Sequence, residues 1–400
     1  MLKSIKQFST INRIKFFRLL RNRQHPIKIV ENAGNPIHMI SYREYSSNGG
    51  NGGGSAVMSM CYDLLKEGGN ITFSFKDKRY YKHNALNTLW GAYNFTKEKT
   101  NCDKPETLYI THDEDTAFAL YLLGKKYVLI HHLQGSRIDE IYRYKVSLSK
   151  KNIRLLMGIE AIVFRNAIFV CFPSAGATHE FLSSKNRWNF KFSIGPVLYN
   201  TVFAPKIIRS VKEIKYDSNI ITLLSVGQMF YPKGMDLLPT FYKSLLDSFP
   251  AKSFRAILVG NGELKSKINS ELSELSSKFS NFSYIQYDKL PHEELSYLQK
   301  ISNAYVMLHR ISIFDLSTLE MMMNGKAVIL SKRGGNLSFN KENNIIFSDG
   351  NKWPSNLNIN ELNHYGELNR KVFEAYFSIK VFKNEYISMI NSARKQMLNT

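Results

Sequence analysis

Cysteine is scarce in this 400-residue chain, which contains only Cys61, Cys102 and Cys171. Their odd number and irregular spacing fit neither a disulfide framework nor a metal-binding motif. Disulfides persist in oxidising compartments and are rare in reducing ones. We therefore expect the protein to reside in a reducing compartment.

Long hydrophobic runs are also missing. A helix that crosses a bilayer needs about 20 predominantly apolar residues. The nearest approach, residues 161–172, is interrupted by Arg165 and Asn166. The first residues do not resemble a secretory signal peptide. These absences favour a cytoplasmic protein without a membrane span.

Acidic residues are few, since 33 Asp and Glu stand against 54 Lys and Arg, giving a net charge of +21. Such an excess favours an anionic partner: a nucleic acid, a membrane surface or a phosphorylated ligand. The aromatic residues do not follow the pattern of a nucleic-acid-recognition module, so we expect no nucleic-acid partner. Charge alone does not exclude a soluble basic protein without an anionic partner.

Residues 1–30 lack acid altogether but contain eight Lys and Arg, interleaved with apolar residues such as Phe16, Phe17 and Leu20. This composition predicts a basic amphipathic helix that lies on the inner face of an anionic membrane. A solvated arm and an organelle transit peptide share the same composition and stay open as alternatives.

The rest of the chain has the composition of a folded protein, with 44% hydrophobic and 13% aromatic residues. Its length exceeds that of one ordinary core and indicates two domains. Short apolar runs alternate with helical segments from residue 37 onward. This alternation predicts α/β architecture with doubly wound parallel sheets.

A glycine-rich loop at residues 48–55, which includes Gly52 and Gly53, separates a predicted strand at 37–40 from a helix at 56–66. Strand, glycine loop and helix is the order of a phosphate cradle. The loop lacks the Lys-Ser/Thr of a P-loop and the spacing of a dinucleotide fingerprint, so the signal is weak. A flexible linker is the alternative.

Two other predicted strands of this half end in polar clusters. His112 and Asp113 follow the strand at 108–110, and His131 and His132 follow the strand at 127–130. Ligands of open α/β sheets bind at the carboxyl ends of the strands, so all four are candidate site residues. A single histidine can equally be structural, and Asp113 can equally be a helix cap.

A second α/β unit follows a Lys- and Ser-rich linker at 206–218. The strand at 221–226 leads into a loop that contains Gly227, Gln228 and Lys233, and helix 235–247 follows. Further strands are predicted at 255–259, 284–286 and 305–308, and residues from 361 onward are predicted to be mostly helical.

The stretch from His309 to Asn336 contains the densest set of candidate residues. A helix predicted at 317–323 ends at Gly325, in the position where a left-handed backbone conformation commonly terminates a helix. A predicted buried strand then leads to Gly334, Gly335 and Asn336. Two loops and a helix N-terminus at one rim make a place to hold an anion. Glu320 either closes a capping box with Ser317 or binds ribose hydroxyls.

Four segments of this half resemble, in order, the donor half of glycosyltransferase family 4. They are Leu-Ser-Val-Gly-Gln-Met-Phe-Tyr-Pro-Lys-Gly-Met-Asp-Leu at 224–237, Leu-Val-Gly-Asn-Gly-Glu-Leu at 258–264, residues 287–304, and the stretch 309–336. Residues 376–386 are similar to the family's C-terminal helix. Weaker likenesses upstream extend the resemblance to residues 35–393.

The resemblance implies the GT-B fold: two Rossmann-like doubly wound domains that face across a cleft, with a C-terminal helix that crosses back to the first. We accordingly expect an arm at 1–30, an acceptor-side domain at 31–205 joined by helix 378–400, and a nucleotide-sugar-binding domain at 206–377. It also implies retention of anomeric configuration without a metal or other cofactor.

The same resemblance assigns roles to residues. Lys233 would stabilise the leaving diphosphate, Glu320 would bind ribose, and His131 or His132 would contact the sugar or the incoming hydroxyl. The backbone N–H groups of Gly334, Gly335 and Asn336 would add a phosphate nest. The remaining donor-side candidates are Gly227, Gln228, Arg310, Ser312, Asp315, Leu316 and Ser317, and the acceptor-side candidates are Gly52, Gly53, His112 and Asp113.

The chain departs from the family pattern at three donor positions. Gln228 replaces a phosphate-binding arginine, Ser312 replaces the first glutamate of an E-x₇-E segment, and Ser338 replaces the acid that often follows the Gly-Gly turn. Arg310 and Asp315 are candidates to replace the lost cation and the lost carboxylate. We expect a glycosyltransferase (EC 2.4, hexosyl type) that acts on a glycan or lipid-linked acceptor in surface polysaccharide synthesis. The alternative is a catalytically silent GT-B subunit that binds glycan or a partner transferase.

Overall fold

The computed structural model describes residues 36–45, 53–66, 71–76, 85–143, 147–204, 208, 210–211, 214, 217–349 and 358–398. The predicted arm at 1–30 and Gly52 lie outside these residues. The chain divides into two units. The first contains Met1–Pro173, Ser184–Leu198 and Lys383–Thr400, and the second contains Ser174–Ser183 and Tyr199–Phe382.

The first unit is built on a parallel sheet in the order β2-β1-β3-β4-β5-β6. Its strands are β1 (Ile37–Ser41), β2 (Ile71–Phe75), β3 (Leu108–Thr111), β4 (Tyr127–Ile130), β5 (Val170–Phe172) and β6 (Ile194–Val197). Its helices are α1 (Gly53–Leu65), α2 (Ala85–Lys99), α3 (Glu114–Leu122), α4 (Arg137–Arg143) and α5 (Lys150–Asn166).

Burial separates the central strands from the edges of this sheet. All residues of β1, β3, β4 and β5 are buried, whereas β2 and β6 are partly exposed. Strands covered by helices on both faces read as continuous apolar runs, which is why the sequence predicted β3 and β4 well. The strand order reverses between β1 and β3, and that point is the topological switch of the sheet.

The second unit has a parallel sheet in the order β12-β11-β10-β7-β8-β9. Its strands are β7 (Ile220–Val226), β8 (Ser253–Val259), β9 (Phe282–Tyr287), β10 (Ala304–Met307), β11 (Ala327–Leu330) and β12 (Ile346–Phe347). Its helices are α6 (Ala175–Ser183), α7 (Leu238–Ser248), α8 (Lys265–Lys278), α9 (His292–Ile301), α10 (Leu316–Met323) and α11 (Ile359–Val372). The order is that of a Rossmann sheet, with its switch point between β7 and β10.

Two helical predictions differ from the structure in their boundaries. The helix predicted from residue 235 is preceded by two 3₁₀ turns, Tyr231–Lys233 and Met235–Leu237, because Gly234 between them is left-handed (φ 66°). The C-terminal helical region contains α11, a π-helical turn at Phe373–Phe377 and helix α12 (Ile379–Leu398). From Lys383 onward α12 belongs to the first unit.

None of the helices that the structure describes is long and apolar enough to cross a bilayer. All three cysteines are free thiols; Cys61 and Cys171 are buried and Cys102 is exposed.

Candidate functional site

The loops that follow β7 and β10 meet at the switch point of the second unit. The carbonyl of Pro232, after β7, accepts hydrogen bonds from the backbone N–H groups of Arg310 and Ile311, after β10 (3.0 and 3.2 Å). Gly234 lets the two loops approach, because a Cβ at this position would lie 1.9 Å from the Leu308 carbonyl oxygen. The sequence thereby places Lys233 beside the end of β10.

Lys233 forms the central ion pair of this site. Its Nζ lies 3.1 Å from Asp315 Oδ1 and 3.5 Å from His309 Nε2. The side chain of Lys233 is 24% exposed and that of Asp315 is 10% exposed. Burial alone would raise the pKa of Asp315, but the charge of Lys233 and the contact with His309 hold it well below its usual range.

Two further groups complete the surroundings of Asp315. The Tyr305 hydroxyl donates to Asp315 Oδ2 (3.1 Å), and burial together with the Asp315 charge raises the pKa of that phenol well above its usual value. Burial and the charge of Lys233 lower the pKa of His309. The histidine therefore stays neutral at pH 7, and Lys233 carries the positive charge of the cluster.

Arg310 does not join this cluster. Its two terminal nitrogens donate to the two oxygens of Asp236 (2.7 and 2.9 Å), and its guanidinium lies 4.0 Å from the centroid of the Tyr231 ring. A bidentate pair of this kind holds the guanidinium in a fixed plane. In this structure Arg310 fastens the loop after β7 to the loop after β10.

Replacing Arg310 with alanine is accordingly expected to lower the thermal midpoint by a few degrees, because a partly exposed pair contributes about 1 kcal/mol. The transfer activity that the family resemblance implies should fall less than about tenfold. Asp236→Ala should reproduce both effects, and the double variant should add little to either. A hundredfold loss of transfer in Arg310→Ala alone, at an unchanged thermal midpoint, would assign Arg310 to the donor phosphates instead.

Glu320 lies in the second turn of α10, and the predicted capping box with Ser317 is wrong. The helix begins one residue earlier, and the Asp315 side chain caps it by accepting from the Thr318 N–H (3.1 Å). Asp315, and not Ser317, caps the helix because it directly precedes the first helical residue and has the extended backbone conformation of an N-cap. The Glu320 carboxylate is therefore not used at the helix end.

Two side chains of α9 hold the Glu320 carboxylate instead. Gln299 Nε2 donates to one oxygen (2.6 Å), and His292 Nε2 lies 3.5 Å from the other. The contact with Glu320 raises the pKa of His292. Burial and the Asp315 charge are the main causes of the raised pKa of Tyr305, and the Glu320 charge adds a smaller contribution.

The glycine turn after β11 packs on the loop after β10. The Gly335 N–H donates to Ser312 O (2.7 Å) and the Asn336 N–H donates to Arg333 O (2.9 Å). The predicted phosphate nest is therefore wrong for these two groups, since their donors are already used. Both glycines are needed for close packing, because Cβ atoms there would lie 2.4 Å and 1.8 Å from the Ser312 and Ile313 carbonyl oxygens.

The start of α6 covers the same turn from another side. A Cβ on Gly176 would lie 2.2 Å from the carbonyl carbon of Gly334, and the Ser174 hydroxyl donates to the carbonyl of Ile313.

Gly325, predicted to end α10 in a left-handed conformation, has φ 66°, so that prediction is confirmed.

The remaining donor-side candidates occupy the same edge of the sheet. Gln228 is exposed next to Gly227, Leu316 and Ser317 form the first turn of α10, and Ser312 is buried. The Ser312 hydroxyl and the Asn336 amide oxygen have no hydrogen-bond partner among the described residues. Buried polar atoms without partners are rare in folded proteins and occur at binding sites.

In the first unit, the rings of His112 and His132 lie edge to edge and share a hydrogen bond. Their rings are 5.1 Å apart, and His112 Nδ1 lies 3.0 Å from His132 Nε2. The ring of Tyr386, in α12, lies nearly parallel to that of His112, with centroids 6.3 Å apart. Burial, with a smaller contribution from His131, lowers the pKa of His132 to about 3, and burial and His132 lower that of His112.

His131 and Asp113 have different surroundings. His131 Nε2 donates to Gly135 O (2.9 Å), and its Nδ1 lies 3.3 Å from Glu114. Asp113 caps α3 by accepting from the Thr116 N–H (2.7 Å) and also binds the Ser41 hydroxyl at the end of β1 (2.6 Å). The helix-cap alternative for Asp113 is therefore confirmed. Gly53 is the first residue of α1.

The stability of the first unit should fall steeply in mild acid. Buried neutral His112 and His132 bind protons only after unfolding, so the unfolded state binds more protons below its histidine pKa of about 6.5. As pH falls below about 6.5, each histidine should lower the free energy of unfolding by about 1.4 kcal/mol per pH unit. For His132 this decrease should continue down to its pKa of about 3. Denaturant titrations at several pH values measure this slope. His132→Gln should flatten it, whereas exposed His364→Gln should not.

The sequence missed several residues of the second-unit site. His309, Tyr305, His292 and Gln299 were not assigned, although His309 directly follows a buried strand as His112 and His131 do. Tyr305 lies inside a strand, and the two α9 residues are distant in sequence from Glu320. Only the parallel pairing of β10 with β7 and the packing around α10 bring them together.

Residues 207–374 match the family described as "Glycosyl transferases group 1". The chain therefore contains a group 1 glycosyl transferase domain, and this domain includes Lys233, Asp315, Glu320 and the glycine turn. No protein among curated sequences matches the chain.

Solved structures resemble the chain over most of its length. An α,α-trehalose 6-phosphate synthase from Burkholderia multivorans is 13% identical with a TM-score of 0.64, covering 90% of this chain and 98% of that one. A sucrose-phosphate synthase from Thermosynechococcus elongatus is 15% identical with a TM-score of 0.63, covering 90% and 98%. At this identity the likeness shows the fold, so the predicted GT-B class is confirmed.

Proposed function

We propose that this chain, with its group 1 glycosyl transferase domain, is a hexosyl-type transferase. It moves a sugar from a nucleotide-sugar to a lipid-linked or glycan acceptor in surface polysaccharide synthesis, with retention of configuration and without a metal or other cofactor. The observation that carries the proposal is the Lys233 ammonium at the switch point of a Rossmann sheet, 3.1 Å from Asp315.

Transfer of the sugar leaves a nucleoside diphosphate, whose charge grows as the glycosidic bond breaks. A preorganised cation next to the leaving oxygen lowers the energy of that transition state. Lys233 is partly exposed, and burial together with the Lys233 charge lowers the pKa of its neighbour His309, so the histidine stays neutral. Asp315 orients the ammonium without covering it.

The Glu320 carboxylate is suited to the ribose of the donor. A carboxylate accepts two hydroxyl hydrogen bonds, and acids bind ribose in this way in dinucleotide folds. Gln299 and His292 fix its position, so it needs no reorientation when the donor binds. In the first unit, His131 and His132 remain predictions for contact with the transferred sugar or the incoming hydroxyl.

The charge of the whole chain favours an acceptor at an anionic surface. A net charge of +21 raises the local concentration of phosphorylated ligands and attracts the chain to anionic lipid. A lipid-linked pyrophosphate acceptor at the cytoplasmic face of the membrane combines both properties. We propose this acceptor class and this location together.

Two features favour the alternative of a silent GT-B subunit that binds glycan or a partner transferase. Gln228 and Ser312 replace charged residues of the family pattern, and the N–H groups of Gly335 and Asn336 are already bonded. Hydrolysis or transfer of a nucleotide-sugar by the isolated protein would exclude this alternative.

A thermal-shift comparison of UDP-, GDP- and ADP-sugars tests the proposed function. A donor present at about 100 times its dissociation constant stabilises the native state by about 2.7 kcal/mol, which raises the midpoint by about 5–10 °C. One base should be preferred, and the shift should persist in a metal chelator. If no nucleotide-sugar shifts the midpoint, the proposed function is wrong.

A further inference from the structure

One face of α5 in the first unit combines basic residues with an exposed tryptophan. Lys151, Arg154 and Arg165 are exposed and share this face with Gly158, because residues three, four and seven apart lie on one side of a helix. Trp188 lies over Gly158, where a Cβ would be 3.3 Å from the edge of the indole. Glycine thus allows the ring to rest on the middle of the helix.

The segment that carries Trp188 is fixed to α5 by aromatic packing. Phe190 and Phe192 contact Phe164 with centroid distances of 6.0 and 5.2 Å. The guanidinium groups of Arg165 and Arg187 lie 5.5 and 5.2 Å from the Phe190 centroid. Trp188 nevertheless remains 46% exposed, so a rigid support presents it to solvent.

Neither α5 nor residues 184–197 exposes a carboxylate on this surface. Residues 184–197 contain no acid but contain Lys185, Arg187 and Lys191. The single acid of α5, Glu160, is fully buried and accepts the Arg137 N–H (3.0 Å), while burial raises its pKa to about 9. Asp139, which reaches the segment, is bound by Asn186 (2.7 Å) and Ser136. The exposed charged side chains of the basic face formed by α5 and residues 184–192 are therefore all basic.

We propose that this basic face docks on a bilayer surface that carries anionic phospholipid. The long Lys and Arg side chains would reach the phosphates, and the amphipathic indole of Trp188 would enter the interface, where tryptophan is enriched. The proposal rests on the proposed function only for its choice of a membrane-borne acceptor. It adds a second membrane contact to the one predicted for the arm at 1–30, and this second contact lies on a folded surface.

Vesicle flotation of the full chain tests the proposal. Vesicles of phosphatidylcholine alone are compared with vesicles containing about one-third phosphatidylglycerol. Lys151→Gln/Arg154→Gln should partition about 30-fold more weakly to the anionic vesicles, at about 1 kcal/mol per cation. Trp188→Ala should weaken partition about tenfold through lost apolar contact, and Trp188→Phe should recover most of it.

The matched control is Lys243→Gln/Lys267→Gln, which removes the same charge from exposed helix positions of the second unit. It should bind within about twofold of the unchanged protein. The proposal is overturned if the unchanged protein ignores anionic vesicles, if the control loses as much binding as the Lys151/Arg154 variant, or if the face variants bind normally. The proposal is also overturned if the unchanged protein binds DNA but not vesicles and the face variants lose that DNA binding.

The donor-induced thermal shift separates this proposal from the proposed function. The face variants should keep that shift, because none of the changed residues lies in the second unit. A protein that binds vesicles through the face but responds to no nucleotide-sugar would disprove the transferase proposal and leave the docking surface standing. If the face variants keep the donor-induced shift and also bind vesicles normally, the docking surface is disproved and the transferase proposal stands.

Discussion

Replacing Lys233 with methionine is expected to lower kcat/KM for sugar transfer about 100- to 1,000-fold, the usual effect of removing one preorganised stabiliser of developing charge. Methionine keeps most of the side-chain volume and removes the ammonium. The loss should fall mainly on kcat, because the charge on the leaving diphosphate is largest in the transition state. Initial rates at varied donor concentration measure both constants.

The change has a structural consequence that must be separated from the catalytic one. Without Lys233, the Asp315 carboxylate keeps His309, Tyr305 and the N–H and hydroxyl of Thr318 but loses its cationic partner, so the second unit should lose about 1–3 kcal/mol of stability. Lys233→Met/Asp315→Asn should recover much of this stability, since the buried charge is gone, but none of the activity. If activity returns with stability in the double variant, Lys233 is a structural residue only.

Lys243→Met serves as the control for the loss of a lysine. Lys243 pairs with Asp247 on the exposed face of α7, and both side chains are about half exposed (53% and 51%). Exposed pairs contribute little, so both activity and thermal midpoint should stay near those of the unchanged protein.

Replacing Glu320 with glutamine is expected to raise the donor KM about 10- to 100-fold with a smaller effect on kcat. Hydrogen bonds to a charged group contribute about 1.5–3 kcal/mol, and the ribose hydroxyls would lose a charged acceptor in substrate and transition state alike. Glu374→Gln removes an exposed carboxylate of the same domain and should leave KM unchanged. An unchanged KM in Glu320→Gln would remove Glu320 from the donor site.

The same substitution should change the titration of His292. Its pKa is raised chiefly by the contact with Glu320, so the protonated form is favoured in the folded state. The associated stability is present below the unfolded histidine pKa and is lost as pH rises through the higher folded pKa. In Glu320→Gln the pKa should return toward about 6.5, as NMR of the imidazole protons would report. A pKa that does not fall would mean that Glu320 does not hold His292.

The candidate residues of the second unit were more predictable than those of the first. Lys233, Glu320 and the glycine turn lie in ordered segments whose spacing carries the family resemblance, and the structure brings them to one edge of a Rossmann sheet. His112 and His132 were predicted by position alone. Their mutual hydrogen bond follows from the pairing of β3 with β4, and the contact of His112 with Tyr386 follows from the packing of α12; no local pattern reports either.

The errors at the second-unit site share one cause. The capping box at Ser317 and the nest at Gly335 and Asn336 were both assigned from backbone groups that looked available in a linear sequence. In the folded chain, the Asp315 side chain caps the helix. The Ser312 and Arg333 carbonyls accept hydrogen bonds from the two N–H groups of the predicted nest. Local patterns identify groups that can bond, but packing determines their partners.

By itself the sequence determined the alternation of strands and helices, the left-handed glycine at Gly325, and the cationic character of the chain, because each depends on neighbouring residues or on composition. Only the tertiary structure decided that Arg310 binds Asp236, that Asp315 pairs with Lys233, and that Trp188 rests on Gly158. Those contacts join residues from about 30 to 80 positions apart. Their geometry depends on strand order and helix packing, which no single segment encodes.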